Sequence, residues 1–205
     1  NIPVAKEEAT VESNSVIENA LPVRKHAITK MMEVKPRDPV HFESQQAFVE
    51  TMMPYAESAA QELGVSPQLL IAQAALETGW GGHVMQTADG GSSHNLFGIK
   101  ADARWTGERV TSETIEFRDG LMRKERATFR AYASLAEGLA DYANFLQTNP
   151  RYQEALTKAG DPVGFAQALA AAGYATDPEY ARKINNILSG DPLRRAVAEI
   201  KESGT

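Results

Sequence analysis

The sequence predicts a mostly helical α+β domain over roughly residues 44 to 190, with one β-hairpin inserted between two helical halves. Three observations carry this. Helix-start signals recur along the chain, from Ser44 and Ser66-Pro67 to Asp161-Pro162, Asp177-Pro178 and Asp191-Pro192, each pairing a capping side chain with a helix-compatible start. Glycines stand where those helices should stop, at 64, 79, 160, 173 and 190. A single stretch, "TIEFRDGLMRKERATFRAY" (114 to 132), alternates around Asp119-Gly120, the dipeptide that best favours a two-residue hairpin turn.

Residues 1 to 43 show no sustained period, and "VKPRDPVHF" (34 to 42) reads as an extended linker because each proline disfavours helix before it. Weak order is expected there, with a turn of helix over residues 27 to 32 at most. Ser44 caps "QQAFVETMM", Pro54 breaks or kinks that helix, and a second piece runs to Leu63. Ser66 and Pro67 start a helix that ends at Thr78 before Gly79. Residues 83 to 108 are rich in Gly, Asn, Asp and Ser and are expected to be irregular. After the hairpin, Ser134 and Glu137 form a capping box before "LADYANFLQTNP". Residues 191 to 205 are expected to be a tail with a possible short helix.

The 205 residues, 42% hydrophobic and 23% charged, suffice for one domain with a substantial core. The net charge of -6 argues against a nucleic-acid partner, whose phosphates call for a basic footprint. Zero cysteines exclude disulfides, thiolate metal sites and cysteine nucleophiles. No apolar run is long enough to insert in a membrane. The chain begins at Asn1 without a leader, which suggests a processed or truncated fragment. His26, His41, His83 and His94 lack metal-ligand spacing, so neither a metal nor another cofactor is expected. The glycines around Trp80 follow a helix rather than a strand, against a dinucleotide loop, and no G-x-S-x-G elbow is present.

The stretch "AALETGWGG" (74 to 82) holds the most informative residue. On a helix from Pro67 to Thr78, Leu70, Ala74 and Glu77 share one face, so Glu77 lies on or beside a stripe that otherwise reads as core. Burial raises a carboxyl pKa, the condition for a general acid near neutral pH. By itself the position equally suits a carboxylate at the stripe's edge, satisfied by an arginine or by backbone amides. Gly79, Gly81 and Gly82 remove bulk beside it, and Trp80 offers either a flat wall for a ligand or a core ring.

Taken together and in order, "AQAALETGWGG" (72 to 82), "NLFGIK" (95 to 100), "TIEFRDG" (114 to 120), "FRAYAS" (129 to 134) and "GYATDPEYARKI" (173 to 184) resemble the peptidoglycan-hydrolase domain of FlgJ-type flagellar rod-assembly proteins. These belong to glycoside hydrolase family 73, endo-β-N-acetylglucosaminidases. The resemblance runs from about residue 48 to 188. It implies a lysozyme-like core, cleavage of peptidoglycan glycan strands, and Glu77 as catalytic acid. It also implies action in the periplasm, export by the flagellar route, and flagellar rod proteins as partners through an upstream domain not recognisable in residues 1 to 43.

Glycoside hydrolysis generally uses two carboxyl groups. The resemblance assigns the second to Glu116 in "TIEF". The hairpin places Glu116 opposite Arg123, Phe117 opposite Met122 and Arg118 opposite Leu121, an arrangement that also suits a surface ion pair. A mobile hairpin would hold Glu116 far from Glu77 without substrate and close on binding. Asn95 and Phe97 join Trp80 as candidate substrate-binding residues, although Asn95 also suits a turn and Phe97 the core. Tyr174 is the remaining catalytic candidate: the resemblance puts it in the active cleft, while its setting also fits a half-buried anchor. Tyr180 is expected to pack. Arg118, Arg123, Lys124, Arg126 and Arg130 make the hairpin basic, to meet wall carboxylates or to keep a strand edge soluble. The alternatives are a lytic transglycosylase or muramidase on the same glycan, and a non-catalytic wall-binding rod scaffold.

Overall fold

The computed structural model describes residues 40–118 and 121–203. Helix α1 spans Gln45–Leu63, with the Ser44 hydroxyl accepting from the Ala47 amide at 3.0 Å. It runs through Pro54 without a break. Proline removes one intrahelical hydrogen bond, but Phe48, Val49 and Met52 before it and Ala56, Ala59 and Leu63 after it are all buried along one helix. Packing of that shared face outweighs the local loss. Gly64, at φ 72°, closes the helix by donating to the Ala60 carbonyl.

Helix α2, Pro67–Thr78, starts at the expected Ser66 cap and ends at Gly79, φ 57°. Leu69 through Ala75 are all buried. A helix apolar on every side needs neighbours on every side, and α2 packs against α1 and against α6, Tyr180–Ser189. Helices α3 (Leu135–Thr148), α4 (Gln153–Thr157), α5 (Pro162–Ala171) and α7 (Asp191–Ser203) complete the helical body. At the start of α3, Ser134 accepts from the Glu137 amide and Glu137 accepts from Ala133, so the capping box forms one residue displaced. Asp177 accepts from the Glu179 amide, but its helix, α6, starts only at Tyr180. Helix α7 buries Leu193 and Ala196 and lies on α1. Among the described residues no helix is long and apolar enough to cross a membrane.

The sheet consists of β1 (Arg109–Arg118) and β2 (Leu121–Arg130), antiparallel, with Arg118 paired to Leu121 and Glu116 to Arg123. The register is the one expected; β1 begins at Arg109, ahead of the alternating stretch. Residues 119 and 120 of the turn lie outside the described residues, as does residues 1 to 39 of the expected linker. Leu121 and Met122 at the far end are 60% and 76% exposed, whereas Phe129 and Arg130 at the root are buried. The sheet therefore projects from the body, fastened at one end.

That root is a polar latch. Arg130 Nη1 meets Asp141 Oδ2 of α3 at 2.8 Å, and the Tyr132 hydroxyl donates to the same oxygen at 2.7 Å. The guanidinium also lies 4.7 Å from the Trp105 ring centroid and 5.3 Å from that of Phe145, a cation held between aromatic faces. Arg130 was expected to share the basic surface of the hairpin; its place at the root buries it instead, because the strand there returns to the core. Asp141→Ala leaves this guanidinium without its anion, and a destabilisation of about 3 kcal/mol is expected, read as a lower midpoint in urea denaturation.

Candidate active site

Glu77 sits in the last turn of α2, where the chain leaves the core. It keeps an exposed surface, yet the protein packed around its carboxyl pushes its pKa up to about 7, against a smaller opposing effect from a Tyr180 hydrogen bond. The residue as a whole is exposed, while the protein packed around its carboxyl removes most of that group's hydration. The Tyr180 hydroxyl lowers the pKa because a donated hydrogen bond favours the carboxylate.

Gly98 stands beside that carboxyl. A Cβ built there would lie 3.6 Å from Glu77 Oε2, and its φ of +61° is one that side-chain-bearing residues rarely adopt. A bulkier residue would cover the carboxyl. Thr78 shapes the exit: its hydroxyl donates to the Ala74 carbonyl at 2.6 Å and accepts from the Gly81 amide at 2.8 Å. Gly81 in turn admits Phe42, whose ring would stand 2.1 Å from a Cβ at that position. Phe42 lies edge-on to Phe48 at 4.8 Å, and Phe48 edge-on to Trp80 at 5.9 Å. Trp80 is thus half-buried, one side committed to the core. A concavity of about 250 Å³ is lined by Phe42, Gly81, Gly82, Val84 and Ser92 among others, and Glu77 is not among its lining residues.

Asn95 and Phe97, which suit either substrate contact or packing in the sequence, are both packed. Asn95 is 2% exposed; its amide nitrogen donates to the Ile99 and Arg130 carbonyls at 2.9 and 2.8 Å, and its oxygen accepts from the Ile99 amide at 3.0 Å. Those bonds hold the 95–99 turn against the hairpin root, leaving the side chain no free donor for a sugar. Phe97 is also 2% exposed and stacks on Tyr142 at 3.9 Å. Its backbone carbonyl accepts from the Tyr174 hydroxyl at 2.7 Å. The placement follows from tertiary packing: the loop that presents Gly98 to Glu77 is held by Asn95 and Phe97 ahead of that glycine.

Tyr174 lies on the loop after α5, half-buried, with its ring 5.9 Å from Tyr180 and 6.2 Å from Tyr142. Burial, and the negative charge of Glu77 among its neighbours, keep its hydroxyl protonated well above the ordinary range. Glu116 stands on β1 opposite Arg123; its side chain lies outside the described part of the structure, and with it the expected distance to Glu77. Among the described residues no group of three or more His, Cys, Asp or Glu converges as a metal site would require.

Sequence reading missed Gln73, Tyr180 and Gly98 as parts of this site. Gln73 had a visible signal, since it interrupts an apolar run four residues before Glu77 and so shares its helix face. Tyr180 packs as expected, 3% exposed, but it also reaches Glu77. Nothing local announces that contact, because the two residues meet only when α6 docks on α2.

At the end of α2, Glu77 faces a loop glycine and is backed by tyrosines. The chain belongs to the glucosaminidase family, described as mannosyl-glycoprotein endo-beta-N-acetylglucosaminidase, whose model matches residues 53–191. It is 53% identical over 146 residues to the peptidoglycan hydrolase FlgJ of Vibrio parahaemolyticus, covering 71% of this chain and 47% of that protein. To the peptidoglycan hydrolase FlgJ of Pseudomonas aeruginosa it is 50% identical over 157 residues, covering 77% and 39%. The chain therefore spans about half the length, or less, of these curated relatives. A crystal structure of a peptidoglycan hydrolase mutant from Sphingomonas sp. A1 superposes with a TM-score of 0.71 at 44% identity, covering 75% of this chain and 99% of that one.

Because the pKa of Glu77 is raised in the folded protein, the native state holds this proton after the unfolded chain has released it. Its contribution to stability is present below 4.5, the ordinary value, and is lost as pH rises to about 7. Urea midpoints of the wild type minus those of Glu77→Gln should fall across that window and stay flat on either side. Gly98→Val is expected to cut activity at least about tenfold by covering the carboxyl, measured as turnover on purified wall.

Proposed function

We propose that this chain is a peptidoglycan hydrolase that cleaves the β-1,4 bond after N-acetylglucosamine in cell-wall glycan. The observation that carries this is Glu77, an exposed residue whose carboxyl pKa is raised to about 7 by the protein around it. Such a group is protonated in part near neutral pH and can deliver its proton to a bound ligand. Membership of the glucosaminidase family and the printed names of its relatives support glycan strands of the wall as the substrate.

In this reading Glu77 protonates the glycosidic oxygen as its bond to C1 breaks, so the leaving sugar departs as a neutral alcohol and positive charge develops at C1 and the ring oxygen of the N-acetylglucosamine. Glu116 acts as base toward water or as nucleophile at C1, brought up by the projecting hairpin. Tyr174, whose hydroxyl stays protonated, presents a neutral donor beside the reacting sugar, exchanging the Phe97 carbonyl for substrate. The half-exposed ring of Trp80 supplies an apolar surface for the glycan. The basic side chains at 123, 124 and 126 are exposed on β2 and suit an acidic, peptide-bearing polymer. Action in the periplasm or outside the cell follows from that substrate. A role in opening the wall for the flagellar rod, with rod proteins as partners, rests on the relatives' name.

Glu77→Gln should lose about 10²- to 10⁴-fold in wall digestion while remaining folded. Borohydride reduction of the products followed by mass spectrometry should find N-acetylglucosamine at the new reducing end. N-acetylmuramic ends would identify a muramidase, and anhydro sugars a lytic transglycosylase. Binding to wall without release of fragments by the intact protein would identify a scaffold. Near-normal digestion by Glu116→Gln would remove the second carboxylate from the mechanism.

A further inference from the structure

Beneath Glu77 runs a line of buried polar groups that proton donation alone does not require. The Tyr142 hydroxyl donates to Gln73 Oε1 at 2.9 Å, and Gln73 Nε2 donates to the Tyr180 hydroxyl oxygen at 3.2 Å. Tyr180 in turn hydrogen-bonds the Glu77 carboxyl. Gln73 and Tyr142 are 0% exposed and Tyr180 3%, so bulk solvent does not reach these three side chains.

The direction of the chain is set at its Glu77 end. The Tyr180 bond lowers the Glu77 pKa, the sign of a bond donated to the carboxylate, which can only accept; in that form Tyr180 donates to it. Having used its hydrogen there, the Tyr180 oxygen can only accept from its other neighbour, which turns the NH₂ of Gln73 toward it. The Gln73 oxygen is then left to accept from Tyr142. Each partner is also held mechanically: Tyr142 is stacked on Phe97 with an interplanar angle of 6°, and Gln73 is embedded in the apolar face of α2.

We infer that Gln73 and Tyr142 are positioning residues for Glu77 that act through Tyr180, aiming its hydroxyl hydrogen at the carboxyl and holding that carboxyl in one orientation beside Gly98. The inference rests on Glu77 being the proton donor. The titratable groups that face Glu77 come from three elements, Tyr180 on α6, Tyr142 on α3 and Tyr174 on the loop after α5. All are neutral donors at working pH, so Tyr180 adjusts the acid by a hydrogen bond and not by net charge. Since that bond favours the carboxylate, its loss should keep Glu77 protonated to higher pH.

The test compares Tyr180→Phe and Gln73→Met with the wild type in two measurements. In the free protein, ¹³C-labelled glutamate carboxyls are titrated by NMR, with Glu77→Gln assigning the signal. In turnover on purified wall, kcat and KM are followed against pH. Tyr180→Phe is expected to move the Glu77 titration and the basic limb of kcat upward together and to lower kcat roughly tenfold with KM within about twofold. Gln73→Met should do the same to a smaller extent, because it releases the orientation of Tyr180 without deleting the hydroxyl. An unchanged Glu77 titration in both variants, or a rise in KM with kcat kept, overturns the inference. Should Tyr180→Phe fail to fold, the Gln73→Met titration decides alone. If the wild type releases no sugar, the proposed activity fails, while the titration comparison still decides whether this chain controls Glu77.

Discussion

Helix α2 must be enclosed, and the remainder of the structure answers that requirement. Its central residues, Leu69 to Ala75, are buried on all sides, so α1 and α6 have to pack around it and the loops at its exit have to stay close. Enclosure reaches almost to its last turn. Glu77 therefore comes out of the core with protein around most of its carboxyl and solvent along what is left, which is the setting that moves a carboxyl toward neutrality.

The same constraint explains why so many aromatic and polar side chains meet beneath one acid. A polar residue inside an enclosed helix must find partners within the protein, and Gln73 does so through Tyr142 and Tyr180. Those tyrosines come from α3 and α6, so satisfying one amide also fastens two helices to α2. Tyr174 and Phe97 extend the arrangement to the loop carrying Gly98. The hairpin is handled separately, through the Arg130–Asp141–Tyr132 latch at its root. The body around Glu77 is thereby interlocked, while the far end of the sheet, where Leu121 and Met122 are exposed, stands free of it.

Much of the fold could be read from short-range chemistry. The caps at Ser44, Ser66 and Ser134 and the hairpin register all depend on residues within a few positions of one another, and the structure reproduces them. No break occurs at Pro54, whose local cost is visible in sequence while the long buried face that offsets it is distributed over the whole of α1. Asn95 and Phe97 stayed open between two readings for a related reason: an amide and an aromatic in a glycine-bearing loop suit sugar binding and suit a packed turn equally, and only the positions of Arg130 and Tyr142 show how they pack.

Sequence alone determined the helix that carries Glu77, its position in the last turn, the glycines beyond it and the pairing of Glu116 with Arg123, since helix period and turn chemistry are local properties. Tertiary structure alone decided that Glu77 stays exposed as a residue, that Tyr180 reaches it, that Gly98 faces it, and that the Asn95 amide bonds the loop and the hairpin root. Hydration and hydrogen bonding of a side chain depend on what other segments bring within a few ångströms of it, and separation along the chain carries no measure of that.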